Sequence, residues 1–186
     1  SCNVFNTAEQ PSKVEIEDES IIKEPQEMVE SEYLSEENTI KTATICATGD
    51  IMFHSPQIKA AYGANTNSYD FTENFKYVKR YISEADLAIG NLETVTAGND
   101  FGYQGYPNFN SPDEIIYALK YSGFDVLSTA NNHCLDQGRT GIINTIDRIY
   151  ENGLENIGTY KEKQDLPLIK EVNGIKIALL SYTYGC

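Results

Sequence analysis

The sequence contains no tryptophan, only two histidines and two methionines, and four cysteines among 186 residues. The cysteines form no CxxC pair and have no regular spacing, which excludes a zinc knuckle and a disulfide scaffold and favours reduced, partly buried thiols at Cys46 and Cys134. No run of about 18 apolar residues occurs, so no membrane-spanning helix is predicted. Lysine and arginine number 14 against 28 acidic residues. Without a basic face, the composition argues against nucleic-acid binding.

The acidic charge is concentrated at the start of the chain. Residues 1–40 carry eleven acids and two lysines, a net charge of −9 out of −14 for the whole chain. This segment has few aromatic residues and no sustained apolar periodicity, and we predict that it is a disordered tether. Cys2 follows the small residue Ser1 and precedes a polar spacer, as at the start of a mature bacterial lipoprotein, which predicts a lipid anchor there. A cloning remnant or a chance cysteine is the alternative.

Residues 41–186 are predicted to form the folded domain. Short apolar runs alternate with helical patterns, which is typical of βα units and of the α/β class. Strands are predicted at 42–48 (buried), 85–89 and 124–129, and helices at 71–83, 111–121 and 138–152. The helix at 111–121 is predicted to begin with Ser111 as its N-cap and to end at Gly123. Asn173-Gly174 predicts a hairpin between strands at 166–172 and 175–182. A loop rich in Gly, Tyr and Asn at 98–110 is of the kind that lines a site.

Each of the first three predicted strands is followed by a cluster of polar side chains. The clusters comprise Asp50 with His54, then Asn91 with Glu93, then Asn131, Asn132, His133 and Asp136. Ligands bind at the carboxyl ends of the strands in an open α/β sheet, so we predict that the three clusters share one polar site. Both histidines of the chain belong to these clusters.

The chemistry of the clusters suits a divalent metal used in phosphoester hydrolysis. Carboxylate and amide oxygens with imidazole nitrogen fit manganese, iron, zinc or magnesium. Such a metal polarises a phosphoryl oxygen and lowers the pKa of bound water, and a histidine outside its coordination sphere can protonate the leaving group. The structural alternatives are simpler. A lone histidine after a strand is usually hydrogen-bonded or exposed, Asp50 can cap a helix, and Asn131-Asn132 can fill a turn.

Four segments of the chain resemble the CapA or PgsA family of capsule-synthesis proteins, within the metallophosphoesterase superfamily. They are ATGDIMFH at 47–54, DLAIGNLET at 86–94, GFDVLSTANNHCLDQG at 123–138 and IALLSYTYG at 177–185. The resemblance implies a four-layer α/β/β/α sandwich of the metallophosphatase type, of which this chain would hold the N-terminal part. It also implies a role in poly-γ-glutamate capsule synthesis or export, with other capsule proteins as partners, at the outer face of a bacterial cytoplasmic membrane.

The resemblance also implies roles for individual residues. The suspected metal ligands are Asp50, His54, Asn91, Glu93 and Asn132, and the suspected catalytic residues are Asp50 and His133, with His133 as the proton donor. Three features depart from the superfamily pattern. Asp50 and His54 are four positions apart instead of two, Asn91 replaces a bridging aspartate, and no histidine follows His133. We therefore expect at most half of a ligand set here, and expect the chain to be a fragment of a longer protein that is inactive on its own.

Three functions remain open on this sequence. The first is a metal-dependent phosphoesterase of the cell envelope, acting on a phosphoester substrate. The second is a non-catalytic, membrane-anchored component of the polyglutamate machinery that binds polymer or a partner protein. The third is a binding domain for a small anionic ligand. The acidic balance of the chain argues against binding a polyanion without metal, because like charges repel.

Overall fold

The computed structural model describes residues 39–164 and 167–185. Almost all of the predicted acidic tether, including the predicted lipid anchor at Cys2, lies outside the described residues. In chain order the elements are β1 (Ile45–Ile51), α1 (Ser55–Ala61), β2 (Tyr62–Gly63), β3 (Ser68–Tyr69), α2 (Lys79–Ser83), β4 (Leu87–Leu92), α3 (Glu114–Ser122), β5 (Val126–Ser128), α4 (Gly138–Glu151), β6 (Glu155–Ile157), β7 (Leu168–Val172) and β8 (Ile175–Leu179). Short 3-10 turns at Thr72–Phe75 and Asn99–Phe101 complete the set.

The central element is a parallel sheet with strand order β1-β4-β5-β6. Each strand is joined to its neighbour by a crossover that contains at least one helix, which is how parallel strands are connected. Strands β7 and β8 form a separate antiparallel hairpin, and β2 pairs with β3. The predicted α/β class is therefore confirmed.

The two faces of the parallel sheet are covered differently. Alternate residues of β4 point to opposite faces, so Ala88 packs with Leu119 of α3 and Ile149 of α4, whereas Leu87 packs with Val172 and Leu179 of the hairpin. The described residues thus build a helix layer, a parallel sheet and a second, two-stranded sheet. Helices outside the hairpin, which the four-layer sandwich requires, do not occur in the part of the chain that the structure describes.

Two predicted elements differ from the structure. The strand predicted as buried at 42–48 is found at Ile45–Ile51, and because β1 is an edge strand its first residue, Ile45, is 47 % exposed. The prediction of a single helix at 71–83 is wrong. That helix is replaced by the 3-10 turn at Thr72–Phe75 and the five-residue α2, and Val78 between them is 46 % exposed.

Other elements follow the predictions closely. Helix α3 ends at the predicted Gly123, which has the left-handed φ of 102° that favours glycine, although its N-cap is Asp113 and not Ser111. Helix α4 and the β7–β8 hairpin are confirmed, with Asn173 and Gly174 at φ 51° and 75° in the turn. Helix α1 and strand β6 have no counterpart among the predicted elements. No described helix is long and apolar enough to cross a membrane.

Candidate functional site

A bulge in β1 determines where Asp50 points. Ala47 is paired with Ile89, but Asp50 is paired with Asn91, so β1 contains one more residue than β4 over this stretch. An extra residue reverses the alternation of side chains along a strand. Asp50 therefore lies on the same side as Asn91, and the next residue, Ile51, joins the apolar core under the helices.

The side chains of Asp50, Asn91 and Glu93 are directly connected. The Nδ2 group of Asn91 donates to Oδ1 of Asp50 at 2.8 Å and to Oε2 of Glu93 at 3.1 Å. Glu93 is only 8 % exposed. This burial, followed by the neighbouring Asp50 carboxylate, raises the pKa of Glu93, against smaller lowering effects of His133 and Asn91. Two carboxylates, the buried one of Glu93 and the exposed one of Asp50, thus share one neutral amide.

Asn131 connects the third cluster to the second. Its Nδ2 group donates to Oδ1 of Asn91 at 3.1 Å and to the carbonyl of Leu92 at 2.9 Å, and its Oδ1 accepts from the N–H of His133 at 3.1 Å. The contact with His133 is an Asx turn. Asn131 therefore also stabilises a turn, which was the simpler role considered for Asn131-Asn132. Asn132, the predicted metal ligand, is exposed, and no hydrogen bond of its side chain occurs within residues 39–164 or 167–185.

His133 is oriented by Asp136. Its Nδ1 lies 2.8 Å from Oδ2 of Asp136, and the two side chains are 12 % and 10 % exposed. The same Oδ2 accepts the backbone N–H of Phe109 at 2.6 Å, and the Phe109 ring meets the imidazole edge-on with centroids 4.7 Å apart. A carboxylate on one ring nitrogen fixes the tautomer and aims the other nitrogen. This leaves Nε2 of His133 for a ligand or a proton transfer.

His54 lies beside this cluster and not within it. It is the N-cap of α1, and its backbone N–H donates to Oε1 of Gln57 at 2.9 Å. The exposed ring packs edge-on against Phe109, with centroids 5.3 Å apart. Across the described ranges it forms no hydrogen bond with Asp50 or Glu93. Phe109, which belongs to the loop predicted to line a site, is thus the residue that both histidines share.

The family of the chain follows from its similarity to known proteins. Residues 44–186 match the family model described as bacterial capsule synthesis protein PGA_cap. The chain belongs to this capsule-synthesis family. It is 32 % identical over 148 residues to the capsule biosynthesis protein CapA of Bacillus anthracis, covering 75 % of this chain and 34 % of that protein. The family match includes every residue of the polar cluster, from Asp50 to Asp136.

Two further relatives in the comparison are more distant. The PGA biosynthesis protein CapA of Bacillus subtilis (strain 168) is 30 % identical over 121 residues, covering 59 % of this chain and 30 % of that protein. An uncharacterized protein of Sinorhizobium fredii (strain NBRC 101917 / NGR234) is 28 % identical over 153 residues, covering 77 % of this chain and 31 % of that protein. The chain therefore spans about a third of the length of the curated relatives that it matches.

In this member of the capsule-synthesis family, the donors for a metal are mainly oxygens. The exposed Asp50 and the buried Glu93 supply two carboxylates, and a divalent cation would relieve the repulsion between them. Asn91 instead offers its nitrogen to both carboxylates, while its oxygen is occupied by Asn131. Among the described residues, no three His, Cys, Asp or Glu side chains are close enough to hold a metal. The cluster fits part of a coordination sphere for a hard cation.

Proposed function

We propose that this chain forms part of a capsule-synthesis protein whose polar cluster binds a divalent metal and hydrolyses a phosphoester at the cell envelope. The observation that carries the proposal is the connection of Asp50, Glu93 and His133 through Asn91 and Asn131. Carboxylates from the end of β1 and from the residue after β4 are thereby linked to the backbone of His133, in the turn after β5, at one edge of the sheet. The metal is manganese, iron, zinc or magnesium, which the oxygen donors suit.

Each residue of the cluster has a separate task in this proposal. Asp50 and Glu93 hold the metal, with Asn132 and His54 as further ligands if their side chains turn towards it. When bound, a divalent metal polarises the phosphoryl oxygen and lowers the pKa of water. Asp136 orients His133 through Nδ1, so that Nε2 can deliver a proton to the leaving oxygen. Phe109 covers one edge of the His133 imidazole and limits the access of water to it.

The proposed place of action is the outer face of a bacterial cytoplasmic membrane. Family membership supports a role in making or exporting poly-γ-glutamate, together with other capsule synthesis and export proteins. Lipid attachment at Cys2 would hold the chain at the membrane, and the acidic residues that follow Cys2 would keep the folded domain away from anionic lipid.

Metal binding is tested with the purified chain. After dialysis against Mn²⁺, elemental analysis is expected to find bound metal in the natural chain and in Asp100→Asn, a control that removes an exposed acid outside the cluster. Asp50→Asn and Glu93→Gln are expected to lose it. For the full-length protein of which this chain forms part, hydrolysis of bis(p-nitrophenyl) phosphate is expected to require both the metal and His133, with His133→Ala inactive. A full-length protein that binds no metal and hydrolyses no phosphoester contradicts the proposal.

A second function is favoured by the position of Asn91. Its amide nitrogen already bridges Asp50 and Glu93, the two carboxylates that would hold a cation. The chain can therefore act without catalysis, as a component of the polyglutamate machinery that binds polymer or a partner. Under this alternative, deleting the protein abolishes capsule, whereas Asp50→Ala and His133→Ala cells retain it. Loss of capsule in both point variants rejects the alternative.

A further inference from the structure

The helical side of the domain carries a surface rich in tyrosine and basic residues, here called the tyrosine–lysine face. It is formed by the turn before α2, by α2 itself and by the exposed side of α3, which packs beside α2. Its members are Lys76, Tyr77, Lys79, Arg80, Tyr81, Tyr117, Lys120 and Tyr121. None of these residues belongs to the polar cluster.

The tyrosine rings of this face are open to solvent. Tyr77 is 81 % exposed, Tyr81 62 %, Tyr117 58 % and Tyr121 49 %. Tyr117 and Tyr121 are one helical turn apart, with stacked rings and centroids separated by 6.4 Å. Tyr117 and Tyr121 lie on α3, Tyr81 lies on α2 and Tyr77 lies in the turn before α2, so the four rings form an extended aromatic surface.

Cations are held over these rings. The Nζ atom of Lys79 lies 3.2 Å from the ring centroid of Tyr121, and the guanidinium of Arg80 lies 4.8 Å from that of Tyr81. A cation over an aromatic face is attracted by the ring quadrupole but keeps its full charge. Lys79 and Arg80 are therefore positioned in advance, and binding a carboxylate at either one costs less side-chain entropy than at a lysine that moves freely.

The charge of the face is opposite to that of the protein. Residues 76–81 contain three basic and no acidic side chains, in a chain with a net charge of −14. Among the ion pairs between described residues, Lys76 is the one cation of this segment with an acidic partner, Glu73 at 2.7 Å. The repulsion expected between an acidic protein and an acidic polymer is thus reversed locally at this face.

We propose that the tyrosine–lysine face binds a polycarboxylate chain, in the first place a polymer of glutamate. Lysine and arginine attract a carboxylate carried by every unit of the polymer, and the tyrosine hydroxyls donate hydrogen bonds to its amide oxygens. The rings offer apolar surface to its methylene groups. The choice of polymer rests on the proposed role in capsule synthesis, whereas the choice of a polyanion rests on the face itself.

An anionic membrane is the competing ligand, and the face fits it less well. Segments that lie in a membrane interface insert Trp, Phe or Leu between the lipids. Among the described residues of this face and its turn, the side chains exposed at the surface are tyrosines and cations, with Val78 at 46 % as the aliphatic exception. A surface that offers hydroxyl groups and charges suits a hydrated polymer better than acyl chains.

One residue of the face also lines a groove beside it. The groove, of about 360 Å³, runs between the edge of β1 and α2, and Tyr81 of the face and Asp50 of the polar cluster both contribute to its lining. A polymer held on α2 therefore lies next to a groove that one residue of the candidate site also lines.

The test measures binding of fluorescein-labelled poly-γ-glutamate to the 186-residue chain by fluorescence anisotropy, at low and at physiological salt. The triple variant Lys76→Gln/Lys79→Gln/Arg80→Gln is expected to bind roughly tenfold more weakly, because three exposed ion pairs, each weak by itself, are removed together. Tyr77→Ala/Tyr81→Ala is also expected to weaken binding. The matched control, Arg139→Gln/Lys161→Gln/Lys176→Gln, removes three positive charges elsewhere and is expected to bind as the natural chain does.

Each result decides the proposal. Equal loss in the two triple variants means that only net charge matters, and overturns it. So does binding to phosphatidylglycerol vesicles without binding to the polymer, or no polymer binding at low salt. Asp50→Asn separates this inference from the proposed function, because it is expected to lose Mn²⁺ but to keep polymer binding. Circular dichroism of each variant establishes that it is folded.

Discussion

The Nδ2 atom of Asn91 lies 2.8 Å from Oδ1 of Asp50, so an amide of β4 is hydrogen-bonded to a carboxylate of the edge strand β1. The same nitrogen donates to Glu93 at 3.1 Å, and Asn131 holds the Asn91 oxygen on the other side. Turning the Asn91 amide over would place two NH₂ groups against each other, so the network fixes its orientation. Asn91 therefore provides, as a neutral donor, part of the compensation that a cation would give to the two carboxylates.

We predict that Asn91→Asp destabilises the metal-free protein and makes its stability depend on metal. The change removes two donated hydrogen bonds and adds a third carboxylate beside Asp50 and Glu93, which costs about 2 kcal/mol or more without a counter-charge. Added Mn²⁺ is expected to restore the loss, since a ligand that binds only the folded state stabilises it. Thermal unfolding with EDTA and with Mn²⁺ measures both effects.

The control for this prediction is Asn99→Asp, which adds the same charge at an exposed position in a 3-10 turn. It should leave the unfolding temperature and its response to Mn²⁺ close to those of the natural chain. An Asn91→Asp protein as stable in EDTA as the natural protein would show that the carboxylates do not repel one another.

Glu93→Gln is predicted to stabilise the metal-free protein near neutral pH. Burial and the Asp50 carboxylate raise the pKa of Glu93, so the folded state binds its proton more tightly than the unfolded state does. The stability contributed by protonated Glu93 is complete below the ordinary glutamate pKa of about 4.3, and is lost as the pH rises through the raised pKa. At pH 7 the ionised Glu93 therefore destabilises the folded state, and replacing it with glutamine removes this destabilisation.

Glutamine also keeps the acceptor for Asn91 and can donate to Asp50, which we expect to bring the gain to about 1 kcal/mol. The difference in the free energy of unfolding between Glu93→Gln and the natural chain should shrink as the pH falls towards 4. Urea unfolding at pH 7 and near pH 4, in the presence of a chelator, measures the difference. Glu84→Gln, at an exposed acid, is the matched control and should change stability by less than about 0.5 kcal/mol. A gain that is equal at both pH values would refute the titration of Glu93 as its cause.

The parts of the fold that the sequence predicted well carry strong local signals. The hairpin followed from Asn173-Gly174, and the end of α3 from Gly123, because few residues other than glycine and asparagine adopt a left-handed backbone at low cost. The prediction of one helix at 71–83 was wrong because not all of its regularly spaced apolar residues enter the core. Phe71 and Ile82 are buried, but Val78 is exposed. The three-residue strand β6 is too short to show a period.

The candidate site was predicted at the level of clusters but not of individual atoms. Convergence followed from strand ends meeting at one edge, and Asp50, Glu93 and His133 do belong to connected groups. The roles of Asn131 and Asn132 could not be separated, since adjacent residues after a strand point in different directions that only the turn decides. The bulge that turns Asp50 towards Asn91 had a signal in Gly49, since a glycine within a strand often marks a bulge.

His133 and Asp136 are predicted to be energetically coupled. Their side chains are hydrogen-bonded at 2.8 Å and nearly buried. The single changes His133→Ala and Asp136→Ala should each destabilise the protein, and the double variant by less than their sum, with a coupling energy of about 0.5 to 3 kcal/mol. Urea unfolding of the four proteins gives the coupling. The control is the double-mutant cycle of His54 and Asp136. His54 contacts Phe109 but not Asp136, so the effects of these two changes on stability should be close to additive. Additive behaviour of His133 with Asp136 would mean that the carboxylate does not hold the ring.

Gly90 and Gly49 form a matched pair that tests the packing under the site. A Cβ at Gly90 of β4 would lie 2.6 Å from Cδ1 of Ile51 and 2.9 Å from Cε1 of Phe124, so Gly90→Ala must displace a core side chain. Overpacking of this kind costs about 1 to 3 kcal/mol. A Cβ at Gly49 meets no atom within 4 Å among the residues described, so Gly49→Ala should stay within about 0.5 kcal/mol of the natural chain. Urea unfolding ranks the two variants. A greater loss of stability in Gly49→Ala than in Gly90→Ala would contradict this prediction. It would mean that the bulge in β1 cannot accept a side chain, and that the contact between β4 and Ile51 is not what limits this region.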